Sequence, residues 1–69
     1  RITIANKNVP NIIGQFASIL AQEGLNISDM LSKSKKDYAY NIIDIDGTVT
    51  DAVLSKLKAV ADVIAVRLI

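Results

Sequence analysis

The sequence predicts a single α+β domain in which four strands and two helices follow the order β-α-β-β-α-β. Three short segments alternate apolar and polar residues, as half-buried strands do, and a fourth, at residues 63–69, is strongly hydrophobic. Two intervening segments repeat their apolar residues at helical spacing. The order falls into two similar halves with no linker or low-complexity stretch inside. Right-handed crossovers and short connections turn it into a ferredoxin-like fold: one four-stranded antiparallel sheet with both helices on one face.

The first strand and the first helix are separated by a polar stretch. Ile2 and Ile4 alternate with their neighbours, and the polar residues 6–11 are expected to end this strand. Helical spacing then predicts a first helix over residues 11–23, with Gly24 as its C-terminal glycine. The residues that set this spacing are Ile12, Ile13, Phe16, Ile19 and Leu20.

The next two strands form a predicted hairpin. Residues 25–34 alternate, with Ile27 and Leu31 expected on one side, and the polar residues 35–37 supply the turn. Residues 38–46 are the strongest strand in the chain. Its helix-facing set is predicted to be Ala39, Asn41, Ile43 and Ile45, which leaves Tyr38, Tyr40, Ile42 and Asp44 on the uncovered side. In this assignment Asn41 is a buried amide whose hydrogen-bond partners the sequence does not show.

The last third of the chain predicts a helix and a strand. Thr48 or Thr50 can cap a second helix of about ten residues, which Asp62 ends. Its apolar face is formed by Val53, Leu54, Leu57, Val60 and Ala61. Residues 63–69 form a strongly hydrophobic final strand.

Size and composition exclude several classes of function. The chain has 69 residues, no cysteine and no histidine, so neither thiolate nor imidazole ligands can hold a metal. Its net charge of +1 gives no field that would attract nucleic acid or an anionic membrane. No apolar run approaches the ~20 residues that span a bilayer. No serine has a histidine partner, and no glycine-rich phosphate loop is present. We therefore expect a non-catalytic, cytoplasmic domain without a cofactor of its own.

The polar loop after the first strand is the best candidate site. It leads into the N-terminus of the first helix, where free backbone N–H groups and the helix dipole favour an anion such as an α-carboxylate. Asn6, Asn8 and Asn11 add amides that both donate and accept, which suits a zwitterionic amino acid. Asparagine and proline also gather in ordinary turns, so composition alone does not separate the two interpretations.

A family resemblance favours the binding loop. The chain contains Asn8-Val9-Pro10-Asn11-Ile12-Ile13, Gly24-Leu25-Asn26-Ile27, Met30, Asp37-Tyr38-Ala39-Tyr40 and Ile43-Asp44-Ile45-Asp46. This series resembles the C-terminal ACT domain of D-3-phosphoglycerate dehydrogenase along nearly the whole chain. The resemblance implies a regulatory and dimerisation domain, cut from the C-terminus of a larger NAD-dependent enzyme of serine biosynthesis. It also implies that an amino-acid effector, L-serine, binds between two paired domains.

The resemblance also implies which residues form the effector site. They are the loop residues Asn6, Asn8, Val9, Pro10, Asn11, Ile12 and Ile13, together with Asn26. Asn8 and Asn26 match asparagines that contact the ligand in the family. Asn6 stands where relatives often carry a histidine or an acidic residue. Asn11 stands where the family has glycine, so it brings a side chain into space that a ligand would use.

Two other interpretations stay open at this point. The chain resembles ACT domains of other amino-acid enzymes and of free-standing sensors in the same general way, with a different ligand. Residues 36–40 also resemble the first RNA-binding motif of RNA-recognition domains, with Tyr38 and Tyr40 as stacking platforms. Against RNA binding, Asp37 replaces the motif's glycine, Thr3 replaces a strand-one aromatic and the basic excess is missing. We expect a homodimer, formed through sheet edges or helices.

Overall fold

A computed structural model describes residues 1–69, and it has six elements in the predicted order. They are β1 (Ile2–Lys7), α1 (Ile12–Gln22), β2 (Asn26–Lys35), β3 (Tyr38–Asp46), α2 (Asp51–Lys58) and β4 (Val63–Leu68). The strands form one antiparallel sheet in the order β2-β3-β1-β4. The predicted ferredoxin-like fold is confirmed. None of its helices has the length and apolar character needed to cross a bilayer.

Two element boundaries differ from the prediction because backbone pairing and capping decide them. β1 does not end at the polar stretch, since Asn6 and Lys7 still pair with Ala39 and Tyr38 of β3. α2 has only eight residues, shorter than the helix of about ten residues that apolar spacing predicts. Thr50 is the N-cap of this helix, and its hydroxyl accepts a hydrogen bond from the Val53 N–H at 3.4 Å.

The core lies between the sheet and the two helices and is almost wholly aliphatic. Its only aromatic residue is Phe16 of α1, which is fully buried. The other members are Ile2, Ile4, Ile12, Leu20, Ile43, Val53, Leu57 and Val66. The core therefore depends on both helices and on strands β1, β3 and β4.

A β-bulge in β2 corrects one prediction. Ile27 and Leu31 were expected on one side of the strand, but the pairing register shifts next to Ser28. As a result Ile27 lies opposite Ile45, and Leu31 lies opposite Ile42. Directly opposed residues of an antiparallel pair share a face, so Ile27 packs on the core while Leu31 is half exposed on the other side. The expected common face is therefore wrong, because the bulge reverses the alternation.

An ion pair links the residue before β1 to a residue near the end of β3. The Arg1 Nε donates to Asp44 Oδ1 at 2.7 Å. This hydrogen bond lowers the pKa of the Asp44 carboxyl below its ordinary value. Since the folded-state pKa is lowered, the stability that this contact adds is present above the unfolded pKa and is lost as the pH falls through the folded one.

Removal of this partner gives a direct test of the pKa shift. In Arg1→Ala, we expect the pKa of Asp44 to rise towards its ordinary value, because the hydrogen bond and the positive charge are both lost. An NMR titration of the Asp44 carboxyl carbon measures it. Arg67→Ala is the matched control and should leave the Asp44 titration unchanged. An unchanged Asp44 pKa in Arg1→Ala would contradict the assignment.

Candidate functional site

The loop between β1 and α1 is held against the β2–β3 turn. The Asn8 backbone N–H donates to the Asp37 carbonyl at 2.7 Å, and the Asn8 Nδ2 donates to the Lys36 carbonyl at 3.1 Å. Both bonds fix the loop at this end of the sheet. The Asn8 side chain is exposed, and its Oδ1 remains available to accept a hydrogen bond from a ligand.

Asn11 has a left-handed backbone conformation at the start of α1. Its φ is 65° and its ψ is 10°, a region that glycine enters freely and asparagine tolerates better than most residues. This conformation gives a physical reason for the glycine found there in the resembling family. The Asn11 side chain lies over the first turn of α1, since a Cβ added at Gly14 would be 2.7 Å from Asn11 Oδ1.

The first turn of α1 offers free hydrogen-bond donors. Asn11 makes no side-chain cap bond, and no acidic residue lies in the first turn. The N–H groups of this turn therefore lack side-chain acceptors, and the helix dipole adds partial positive charge at the same point. Such a terminus can bind a carboxylate.

A shallow depression of about 400 Å³ begins at Asn11 and follows the exposed side of α1. It is lined by Asn11, Gly14, Gln15, Ser18 and Ile19. Four of the five lining residues are polar or lack a side chain, so small polar groups are better suited to it than a large apolar ligand.

The remaining predicted loop residues divide between the core and the surface. Ile12 is buried in the core, and Val9 packs partly against it. Pro10 is exposed, and Ile13 is 36% exposed on the outer side of the helix. Of these four residues, Pro10 and Ile13 are the ones whose side chains can meet a ligand or a partner.

Asn26 lies at the other end of the sheet from this loop. It is the first residue of β2 and pairs with Asp46, the last residue of β3. The loop instead lies beside Tyr38, the first residue of β3. At about 3.3 Å per residue, the length of β3 separates them by roughly 26 Å. One chain therefore does not bring Asn26 and the loop together.

Asn6, the first predicted site residue, is fully buried and pairs with Asn41. The Asn41 Nδ2 donates to Asn6 Oδ1 at 2.6 Å, and the Asn6 Nδ2 donates to the Lys7 carbonyl at 2.8 Å. Asn41 Oδ1 is buried and accepts no hydrogen bond within the chain. Asn6 is therefore a buried structural residue at the base of the loop, where its side chain cannot reach a ligand at the surface. It is also the hydrogen-bond partner of Asn41 that the sequence did not show.

The buried amide pair gives a stability prediction. Asn6→Ala removes the only partner of Asn41 Nδ2 and should cost about 1–3 kcal/mol, because a buried donor is left without an acceptor. Replacing Asn6 and Asn41 together by leucine should cost much less than the two single changes combined, since no buried polar atom remains unpaired. Urea denaturation measures both. Additive costs would show that the two amides do not act as a pair.

Solved structures with a similar fold come from two bacteria. The crystal structure of the ACT domain of GTP pyrophosphokinase from Chlorobium tepidum matches with a TM-score of 0.78 and 20% identity, over 96% of this chain and 90% of that one. The solution NMR structure of the same domain matches with a TM-score of 0.75 and covers 78% of that chain. At 20% identity, these two matches show the fold alone.

Protein BT0572 from Bacteroides thetaiotaomicron matches at 25% identity with a TM-score of 0.68. The match covers 91% of this chain but only 43% of that protein. No curated protein sequence matches the chain. A model of the ACT domain family matches residues 1–62, which is most of the 69 residues, and the chain therefore belongs to the ACT domain family.

Proposed function

We propose that this domain binds an amino acid, with L-serine as the first candidate, and thereby regulates an attached enzyme. ACT domains commonly bind amino-acid effectors and form dimers. The observation that carries the proposal is the N-terminus of α1 at Asn11, whose first-turn N–H groups have no side-chain cap and no acidic neighbour. These donors suit an α-carboxylate, and the exposed Asn8 Oδ1 nearby suits the ammonium group of the same ligand.

The site is completed by a second copy of the chain. β2 is an edge strand of the sheet, and its unpaired backbone groups can join those of an identical strand. Antiparallel pairing of two β2 strands places the start of one beside the end of the other. Asn26 of one copy then lies at the end of the partner's sheet where the partner's β1–α1 loop lies. This arrangement brings together the two parts of the site that one chain keeps apart.

The helix layer supports the same pairing. α1 contacts α2 and β2, whereas α2 contacts β4, so α1 lies on the β2 side of the layer. Two β2 edges that pair would bring the two α1 helices together. The exposed side of α1 carries Gly14 and Ser18, and such small residues allow close helix packing. The partner's α1 would then cover the depression that starts at Asn11.

The attached enzyme is proposed to be D-3-phosphoglycerate dehydrogenase, a cytoplasmic enzyme whose NAD belongs to the catalytic domain. This assignment rests on the segments Asn8-Val9-Pro10 and Gly24-Leu25-Asn26-Ile27. A GTP pyrophosphokinase is a second candidate, because an ACT domain of that enzyme from Chlorobium tepidum matches this fold with a TM-score of 0.78. A glycine-rich dinucleotide fingerprint upstream of Arg1 in the gene would favour the dehydrogenase.

Calorimetric titration of the chain with a panel of amino acids tests the proposal. We expect L-serine to bind and D-serine to bind at least about tenfold more weakly, a difference of about 1.4 kcal/mol. The helix terminus and Asn8 fix two groups of the ligand, so the mirror image cannot place its third substituent equally well. Binding of a different L-amino acid would support the proposed site but would replace L-serine as the effector. If no amino acid of the panel bound, the proposal would be overturned.

Asn11→Gly is predicted to strengthen amino-acid binding by about tenfold, or about 1.4 kcal/mol. It removes the side chain that lies over Gly14 and puts the residue best suited to a φ of 65° at this position. The same titration measures it, with Gln22→Ala as a control, because Gln22 is exposed at the other end of α1 and does not line the depression. Weaker binding in Asn11→Gly would show instead that the Asn11 amide contacts the ligand.

A further inference from the structure

The face of the sheet opposite the helices, here the open face, has an apolar centre. Leu31 lies directly opposite Ile42, and Tyr40 lies two residues before Ile42 on the same face of β3. Tyr38 continues this row towards the β2–β3 turn. Leu31, Tyr38 and Tyr40 are 50%, 58% and 45% exposed. A contiguous apolar surface of this kind on a small domain marks an interaction site.

The two ends of the open face carry opposite charge. Alternation along the strands places three lysines at the end near the β2–β3 turn and three aspartates at the other end. The basic end is formed by Lys7, Lys33 and Lys35, and the acidic end by Asp29, Asp44 and Asp46. Arg1 pairs with Asp44, and Arg67 lies on the same face opposite Thr3, so the three aspartates exceed the two arginines by one negative charge.

We propose that the open face binds the open face of a second copy of this chain, with the strands of the two sheets running in opposite directions. A two-fold axis that lies between the faces and perpendicular to the strands relates the two copies. It places the basic end of each copy over the acidic end of the other, and the apolar centres over one another. A two-fold axis along the strands would instead place the basic ends over one another and the acidic ends over one another. The charge pattern therefore favours the first arrangement.

The area of the face agrees with a stable contact. A specific interface buries about 800 Å² on each partner, close to one fifth of the 4446 Å² that this chain exposes. One face of a two-layer domain can supply that area. An RNA strand fits the same face less well, because its phosphates would meet Asp29 and Asp46, and the net charge is only +1.

This contact is separate from the β2 edge pairing proposed above and does not depend on effector binding. The Tyr40→Glu variant distinguishes the two, because Tyr40 is on β3, an inner strand. Sedimentation should give this variant half the mass of the wild type, since the new carboxylate would face Asp44 of the other copy. Leu68→Glu is the matched control: Leu68 is 51% exposed on β4 and lies opposite the buried Ile2, on the helix side of the sheet, so the mass should stay that of the wild type.

An exchange of charges tests the direction of the strands. The variants K33E/K35E and D29K/D46K each have like charges at both ends and should each sediment at half the wild-type mass. Their equimolar mixture should regain the wild-type mass, because each acidic end again meets a basic one. The same mixture with Tyr40→Glu in both chains should stay at half the mass, since recovery through the β2 edge would not depend on Tyr40 of the inner strand β3. K56E/K58E on α2 gives the same net charge as K33E/K35E and should keep the wild-type mass.

Intrinsic fluorescence adds a readout that is local to this face. The chain has two tyrosines and no tryptophan, so Tyr38 and Tyr40 report its burial directly. Their fluorescence should change with dilution in the wild type and not in K33E/K35E. Equal masses for Tyr40→Glu and the wild type would overturn the proposal, as would no recovery of mass in the mixture. Single-stranded RNA that binds the wild type and separates the two copies would overturn it in favour of a nucleic-acid surface.

Discussion

Phe16→Ala is expected to leave most of the chain unfolded at 25 °C. Phe16 is fully buried and is the only aromatic residue of a nine-residue core. Truncation of a buried phenylalanine costs about 3–5 kcal/mol. A single core in a domain of this size supplies about 3–5 kcal/mol of net stability. The cost of the mutation is therefore about as large as the total free energy of unfolding. Far-ultraviolet circular dichroism and urea denaturation measure the effect.

Ile13→Ala on the same helix is the matched control for this variant. Ile13 is 36% exposed, so its truncation leaves no closed cavity and should cost under about 1.5 kcal/mol, less than the values found for fully buried isoleucines. A cooperative urea transition for Phe16→Ala with a midpoint close to that of the wild type would contradict this account of the core. Such a result would mean that stability comes mainly from pairing between copies.

The strand and helix order could be predicted because each element carries its own periodicity. The bounds of β3, Tyr38–Asp46, agree with the sequence prediction, since aromatic and β-branched residues are concentrated there between the polar turn at 35–37 and Gly47. The face of Leu31 could not be predicted, because the bulge beside Ser28 depends on how β2 pairs with β3 and no residue type marks it. The end of β1 was predicted too early for a related reason: Asn6 and Lys7 are polar but still pair with β3.

The candidate site could be predicted only in part. The unfavourable assignment of Asn41 as a buried amide was correct, and the register now shows Asn6 as its partner across two neighbouring strands. The family resemblance also drew attention to position 11, and its φ of 65° is a conformation that suits the glycine of the resembling family. The separation between Asn26 and the loop was missed, because it requires the order of strands in the sheet.

That separation makes a two-copy site the central claim of this account. Within one chain the loop and Asn26 are about 26 Å apart, at opposite ends of β3. Pairing of two β2 edges places each Asn26 beside the other copy's loop. Effector binding would then stabilise the pair, because the ligand binds the dimer and not the single chain. The same coupling would allow the ligand to act on an attached enzyme.

A mixing experiment tests this claim most directly. Asn8→Ala damages the loop and Asn26→Ala damages the other half of the site, so each variant alone should bind the amino acid at least about tenfold more weakly, for the loss of one hydrogen bond to a charged group. In a dimer of one copy of each, one site combines the intact loop with the intact Asn26. Random pairing of an equimolar mixture makes half of the dimers mixed, each with one intact site of two.

Calorimetric titration of the refolded mixture should therefore show about one quarter of the wild-type number of sites, at wild-type affinity. Circular dichroism of each variant checks that both are folded. If the mixture bound no better than the two variants measured separately, or if Asn26→Ala alone kept wild-type affinity, the site would not span two copies and the central claim would be contradicted.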